Sequence, residues 1–580
     1  MNSQKKKKRP FFQPRIIDVF KQGYKGRDFT SDLMGGITVG LIALPLAMAL
    51  GIASIPAGVA TNYPAPAIGL FTAIFAGFLI SLLGGTRVQI GGPTAAFIPV
   101  VLLIVEKHGY SGLVVATLMA GTILVIMGIT RMGTLIKFIP WPVTSGFTTG
   151  IAVSIMATQL ADFFGITGKT PPPREFIEKL RWFYENIGMV NLATLGASIV
   201  CLGLILMWPK FGWKRLPGSI VAMFLVTVVV AAFGWGDSSG ILTVGAKFGT
   251  NAIPSGLPEF HLPHFDLALI RSLIGPATAL ALLGAIESLL SAVVADGMTN
   301  DRHDSNTELI AQGIANIVCP FFGGLPATGA IARTSANINN GGKTPVSGLI
   351  HSITLLLIVI LFARYAVYIP MAAMAAVLVA VSLRMGEWHE IKRLGKMPRS
   401  DAAVLLTTFF LTVIFDLVVA VEIGMVLAAM LFIRRISETT EVSLVTGEDM
   451  LESPSQMAQG KDIPKGVLVY RIFGPFLFGA AEKMEDAMEG MGELPKILIL
   501  RLHLVTAMDA TALNALESVV ERLKNAGGTV IISGIHLQPL KLLQKAGFIN
   551  VIGKENFQAT FDDSLERSRE ILQLTGDKTK

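Results

Sequence analysis

The chain has little charge. Asp, Glu, Lys and Arg make up 15% of its 580 residues, against 52% hydrophobic residues. Soluble globular chains carry roughly 25% charged residues. A deficit spread over this length excludes an ordinary soluble protein, and a mean hydropathy of +0.60 indicates a membrane protein. Cysteine is nearly absent. Cys201 and Cys319 each lie in an apolar run, which excludes a disulfide framework or a cysteine metal site. A signal-peptide pattern is missing too. Polar and charged residues up to Asp32 follow the basic run Lys5–Arg9, so no cleaved signal is expected. There is no H-E-x-x-H, phosphate loop, G-x-S-x-G or credible catalytic triad. An enzyme and an ATP-driven pump are therefore not expected, and no cofactor is implied.

What is present is a long series of apolar runs. Between Leu33 and Arg434 about fourteen are long enough to span a bilayer, or nearly so. They fall near 33–52, 66–83, 93–105, 112–130, 139–160, 190–208, 219–235, 268–293, 307–323, 327–340, 345–362, 369–385, 400–415 and 418–433. With the N-terminus inside and alternating spans, the inner segments hold roughly three times the Lys and Arg of the outer ones. Both termini are then cytoplasmic. The net charge of +7 is explained by this topology, and no nucleic-acid partner is expected.

The third and tenth runs are too short to cross alone. Each follows glycine–proline punctuation, Gly91-Gly92-Pro93-Thr94 and Gly323-Gly324-Leu325-Pro326. Proline suits a first helical position, so helices are expected to start inside the membrane near 93 and 327. The two lie seven spans apart, which predicts a 7+7 inverted repeat with two half-helices. A helix start leaves N–H groups unsatisfied and carries partial positive charge. Two such starts at mid-bilayer make an anion site from backbone alone, with Thr94, Ala95, Ala96, Thr328, Gly329 and Ala330 keeping it accessible.

Ionisable residues inside spans are costly and mark function. Two stand out. Arg333, about two turns into the tenth run, would add a fixed cation to the anion site. Glu287, in the eighth, would bind a proton or Na+, with Ser291 one turn further on the same face. The bland reading is a structural Glu287–Arg333 ion pair. The segment Asp296–Asp304 reads as a solvated inner loop.

After Arg435 the pattern changes. Residues 436–463 read as a polar linker. Strands at 467–473, 497–502 and 529–533 then alternate with helices near 480–491, 511–526, 537–546 and 562–574. This is a small α/β domain. The expected organisation is a basic cytoplasmic segment over 1–30, a transmembrane domain over 31–435, the linker, and a soluble domain over 464–575.

These motifs resemble the SulP anion permeases over about 28–568. The carriers are Gly36 to Gly40 through Pro45, Gly92-Pro93-Thr94, Glu308 to Asn316, Phe322 to Pro326, Arg333-Thr334, and Gly341 to Pro345. The tail looks like a STAS domain, with Val505 to Leu513 as its signature loop. The resemblance implies a fourteen-helix inverted-repeat core, a homodimer, and a bacterial inner-membrane location among lipid. It implies substrate between the third and tenth half-helices, carried onto Thr94, Ala95, Ala96, Ala330, Ile331, Ala332 and Arg333, and onto Pro45 and Leu46. Sodium-dependent bicarbonate members have an aspartate and a threonine where this chain has Glu287 and Ser291, so Na+ and H+ coupling both stay open. Phosphorylated bacterial STAS domains carry a serine after the loop aspartate. Here Ala510 follows Asp509, so that switch is not expected, although a cytoplasmic partner of the domain is possible. The implied function is cation-coupled transport of a sulfate-type or bicarbonate-type anion. The alternatives are an exchanger, an uncoupled anion channel, or a STAS-linked membrane sensor.

Overall fold

The structure is a computed structural model. It describes residues 12–576 apart from 57, 135–139, 169–171, 174, 212–217, 264–265, 416, 445–461, 478–482, 485 and 487–493. The chain divides into two compact units, Met1–Met425 and Val426–Lys580.

The first unit is helical. Its long helices are α1 Gly26–Ser54, α2 Ala65–Leu83, α3 Ile98–Ile129, α4 Trp141–Thr158, α5 Leu192–Met207, α6 Gly218–Ala232, α7 Leu267–Thr299, α8 Ser305–Val318, α9 Ile331–Asn339, α10 Pro345–Phe362, α11 Met371–Met385 and α12 Arg399–Ile414. A further helix, α13 Leu417–Thr439, runs across the boundary between the units. Helix α3 is two segments broken at Gly109, whose φ of 68° only glycine adopts without strain. Counted so, each expected apolar run contains a helix, and shorter helices such as Phe176–Asn186 lie between them. Among the described residues, seven helical stretches are by themselves long and apolar enough to cross a membrane.

Small residues set the close crossings. A Cβ on Gly51 would lie 2.1 Å from the Ala65 carbonyl, and one on Gly69 1.9 Å from the Ala47 carbonyl. Helices α1 and α2 therefore touch backbone to backbone. A Cβ on Gly121 of α3 would lie 2.7 Å from the Gly313 carbonyl oxygen, and one on Gly313 of α8 2.6 Å from that of Gly121.

Two expectations need correction here. The half-helices do not start at Pro93 and near 327. A single 3-10 turn, Ala95–Phe97, leads into α3, and α9 starts at Ile331. Pro93 and Pro326 lie in extended chain before each start, where proline is equally at home. Pro99 takes the early helical position instead. The segment 296–304, expected to be a solvated inner loop, begins inside α7 and is not simply solvated. Asp296 accepts from both the backbone and the ring of His303, whose other ring nitrogen meets Ser305 Oγ at 2.9 Å. Asp304 caps α8. Asp301 takes two hydrogen bonds from Arg15 of the short helix Arg15–Gln22.

The second unit is a five-stranded sheet in the order β3-β4-β5-β6-β7. The strands are β3 Glu441–Leu444, β4 Val467–Phe473, β5 Ile497–Leu504, β6 Thr529–Ser533 and β7 Phe557–Gln558. β3 is antiparallel to β4 and the rest are parallel. Helices Ala510–Asn525 and Leu537–Lys545 cover one face, and the C-terminal helix Phe561–Gly576 covers the other. The expected linker over 436–463 is thus partly structured. Its first residues continue α13 to Thr439, and β3 pairs as an edge strand, its alternation of Glu441 and Ser443 with Val442 and Leu444 being too short to stand out from a polar segment. The helix expected near 480–491 lies largely outside the described residues.

Candidate functional site

The two extended stretches before the half-helices find each other. β1, Gly91–Gly92, pairs antiparallel with β2, Thr328–Gly329, with Gly91 opposite Gly329 and Gly92 opposite Thr328. Ala330 N–H adds a bond to the Ile90 carbonyl at 2.9 Å. The strands run in opposite senses, so the half-helices leave from opposite ends of one short ladder. Backbone at this depth is tolerated because it is paired and covered. Side chains would not fit there. A Cβ on Gly91 would lie 2.3 Å from Ile80 Cδ1, and one on Gly329 1.5 Å from Gln89 Nε2. Gly92, at φ +146°, would meet Arg333 Nη1 at 2.5 Å.

Neither half-helix start has a side-chain cap among the described residues. Helices α5, α7, α8 and α10 do, at Asn191, Asp266, Asp304 and Thr344. Side-chain oxygens normally satisfy one or two of a helix's leading N–H groups. Here Thr94, at the cap position, turns its hydroxyl elsewhere and donates to Glu287 Oε2 at 2.9 Å. Arg333 is buried and donates from Nη2 to the Pro93 carbonyl. Its Nε and Nη1 have no partner among the described residues. The two intramembrane charges therefore grip consecutive residues, Pro93 and Thr94. They do not pair with each other within 4 Å among the described residues. Small backbone at two uncapped helix starts, one unsatisfied guanidinium and a half-buried carboxylate together can hold an anion and a cation side by side.

Comparison with known proteins places the chain. The sulfate permease family profile matches residues 29–408, and the STAS domain profile matches 460–564. The chain belongs to the sulfate permease family. A Bacillus subtilis protein provisionally named a sulfate transporter, YvdB, is 40% identical over 94% of this permease and 98% of its own length. The bicarbonate transporter BicA of Synechocystis is 31% identical over 95% of each chain. The solved transmembrane domain of a cyanobacterial BicA superposes with a TM-score of 0.60 at 32% identity, covering 68% of the permease and 98% of that domain. The structure of SLC26A9 matches in fold, with a TM-score of 0.81 at 18% identity over 97% of the permease and 93% of that chain.

The structure brings most of the sequence-derived site residues of the permease together. Thr94, Ala95 and Ala96 precede α3, and Ala330, Ile331, Ala332 and Arg333 open α9. Ile331 and Ala332 are exposed, whereas Ala95, Ala96 and Arg333 are buried. Pro45 is buried inside α1, and Leu46 packs against the apolar cluster that contains Ala95 and Ala96. Ser291 lies one turn beyond Glu287 on α7. It is fully buried and donates to Thr334 Oγ1 at 3.1 Å, which also accepts from Ile90 N–H. Its role here is to tie α7 to α9 and β1.

Sequence reading missed the polar scaffold beneath the site. Thr328 donates to the Gly284 carbonyl at 2.9 Å, and Gln89 Nε2 to the Ser288 carbonyl at 3.2 Å. Asn316 clamps Ala327 through both its side-chain groups. Glu308, fully buried, accepts from Gly85 N–H, Thr86 and Gln312. Polar residues within apolar runs were the available signal, but nothing local said which partner each would meet.

Proposed function

We propose that this permease is a secondary active transporter. It holds a small sulfate-type or bicarbonate-type anion at the starts of the two half-helices, and H+ or Na+ at Glu287 drives it. The observation that carries this reading is the shared anchoring of Glu287 and Arg333 on Thr94 and Pro93. A cation that neutralises or coordinates Glu287 acts on the Thr94 hydroxyl, and through it on the backbone that faces the anion. The occupancies of the two sites are then linked. The names of the relatives support both anion classes. On this reading the helices form a 7+7 inverted repeat in the bacterial inner membrane, with 31–435 embedded, both termini cytoplasmic, and the protein a homodimer.

Uptake of labelled sulfate and bicarbonate into proteoliposomes, under imposed H+ or Na+ gradients, tests the proposal. Accumulation of either anion that follows one of the gradients supports it. Uptake that ignores both gradients and needs a counter-anion makes the protein an exchanger. Uptake that needs neither makes it a channel.

A further inference from the structure

The second unit holds a buried arginine, Arg501, for which its fold supplies no polar partner among the described residues. On the face covered by the helix Phe561–Gly576, the strands begin with an aliphatic ladder of Val467, Val469, Ile497, Ile499 and Ile531. Alternation then places Arg471, Arg501, His503 and Ser533 on the same face at the C-terminal ends of the strands. Arg471 and Arg501 are direct register partners on β4 and β5, and Ser533 is the partner of Arg501 on β6. Like charges placed opposite each other across a sheet repel. Arg501 is 8% exposed. It stacks on the Phe561 ring at 4.5 Å, and it makes no hydrogen bond or ion pair among the described residues; its Nε is buried without a partner. Burial and the Arg471 charge both hold its guanidinium below the ordinary value. His503 is likewise pushed down, first by burial and then by Arg501, Arg471 and His536.

A buried cation beside a second cation is expensive, and proteins keep such charges only where something compensates them. We infer that the C-terminal end of this sheet is a binding site for a small oxyanion of phosphate or sulfate form, held by Arg501 with Arg471 and His503 at its sides. The planar guanidinium, fixed by its stack on Phe561, offers paired N–H donors that match an oxyanion in a way a spherical halide cannot use. The carboxyl ends of parallel strands are also where open α/β sheets take their ligands. The site is separate from the half-helix site and would bind its anion whether or not the permease transports.

The test uses the full-length permease in detergent, with inorganic phosphate as the probe and hydrogen–deuterium exchange as the readout. Phosphate is expected to slow exchange in β5 and in the helix Phe561–Gly576. The same protection is expected in Arg333→Ala, which disables the half-helix site. Arg501→Met should weaken the response at least about tenfold, and Arg501→Lys, which keeps the charge but not the fork, by less. If Arg501→Met does not fold, the Lys variant still decides, since an unchanged phosphate response there denies the guanidinium its role. Absence of protection in the wild type, or protection that survives Arg501→Met, overturns the inference.

Discussion

Thr94 Oγ1 donates to Glu287 Oε2 at 2.9 Å, joining residues 193 positions apart in sequence. One hydroxyl so connects the start of a half-helix to the ionisable group of α7. Hydrogen bonds to charged groups contribute about 1.5–3 kcal/mol, so this contact is strong enough to pass on a change at Glu287. Glu287→Gln is expected to abolish gradient-driven accumulation while anion binding persists. Thr94→Val should lower uptake about tenfold, the factor that 1.4 kcal/mol represents. Gradient-driven uptake by Glu287→Gln equal to wild type would remove Glu287 from coupling.

Arg333 serves two ends, because one amino group holds the Pro93 carbonyl while Nε and Nη1 have no partner among the described residues. Arg333→Ala is expected to weaken anion affinity about tenfold or more, as loss of a charge-assisted contact would. Isothermal titration of the purified variant checks this, with gel filtration reporting the fold. A folded variant with unaltered affinity would exclude the side chain from the site.

The β1–β2 ladder depends on residues without side chains. A Cβ on Gly329 would overlap Gln89, which is itself tied to α7. Gly329→Ala is expected to cost about 1–3 kcal/mol by overpacking and to stop transport. Gly275→Ala serves as the control, since nothing lies within 4 Å of its new carbon. Thermal unfolding and uptake of the two variants compare them; equal behaviour would mean that the ladder yields easily.

Buried Glu308 organises the turn Gly84–Thr86 against α8. Glu308→Ala would strand the donors of Gly85 and Gln312, at about 1–3 kcal/mol for each, while Thr86 keeps Gln89 as an acceptor. A large fall in unfolding temperature is expected, with Glu308→Gln in between. An Ala variant as stable as wild type would show that these donors find other partners.

Acid should release the short helix Arg15–Gln22. Burial pushes the Asp301 carboxyl up, but the hydrogen bonds from Arg15 and the Arg302 backbone, with the Arg15 and Arg87 charges, outweigh it. The group is held below the usual carboxylate range. Its contribution is therefore complete above the ordinary carboxylate pKa, and it fades as pH falls through the lower folded value. A spin label at Phe20 should stay immobile from neutral pH to about 4 and loosen below it. In Asp301→Asn it should be mobile throughout. A label at Ile199 on α5 reports any general unfolding.

Much of this was legible in the sequence because membrane burial leaves a one-dimensional record. Uninterrupted apolar runs gave the helices, and two Gly–Pro breaks in matching runs marked the half-helix region. The exact starts were not legible: proline fits extended chain and a first helical turn equally well, and only β pairing decided for the former. Edge strand β3 escaped for a similar reason, since four mixed residues resemble a linker until β4 lies beside them.

Sequence alone determined that this chain spans a membrane, that its tail is a separate α/β domain, and that Glu287 and Arg333 are charges placed where charge is costly. Those facts follow from composition and spacing, which fix local transfer energies. Tertiary structure decided the pairings: Glu287 with Thr94, Arg333 with Pro93, Ser291 with Thr334, and Arg501 beside Arg471. Each joins segments far apart in the chain, and a hydrogen bond of about 3 Å depends on where the packed helices and strands put its two ends.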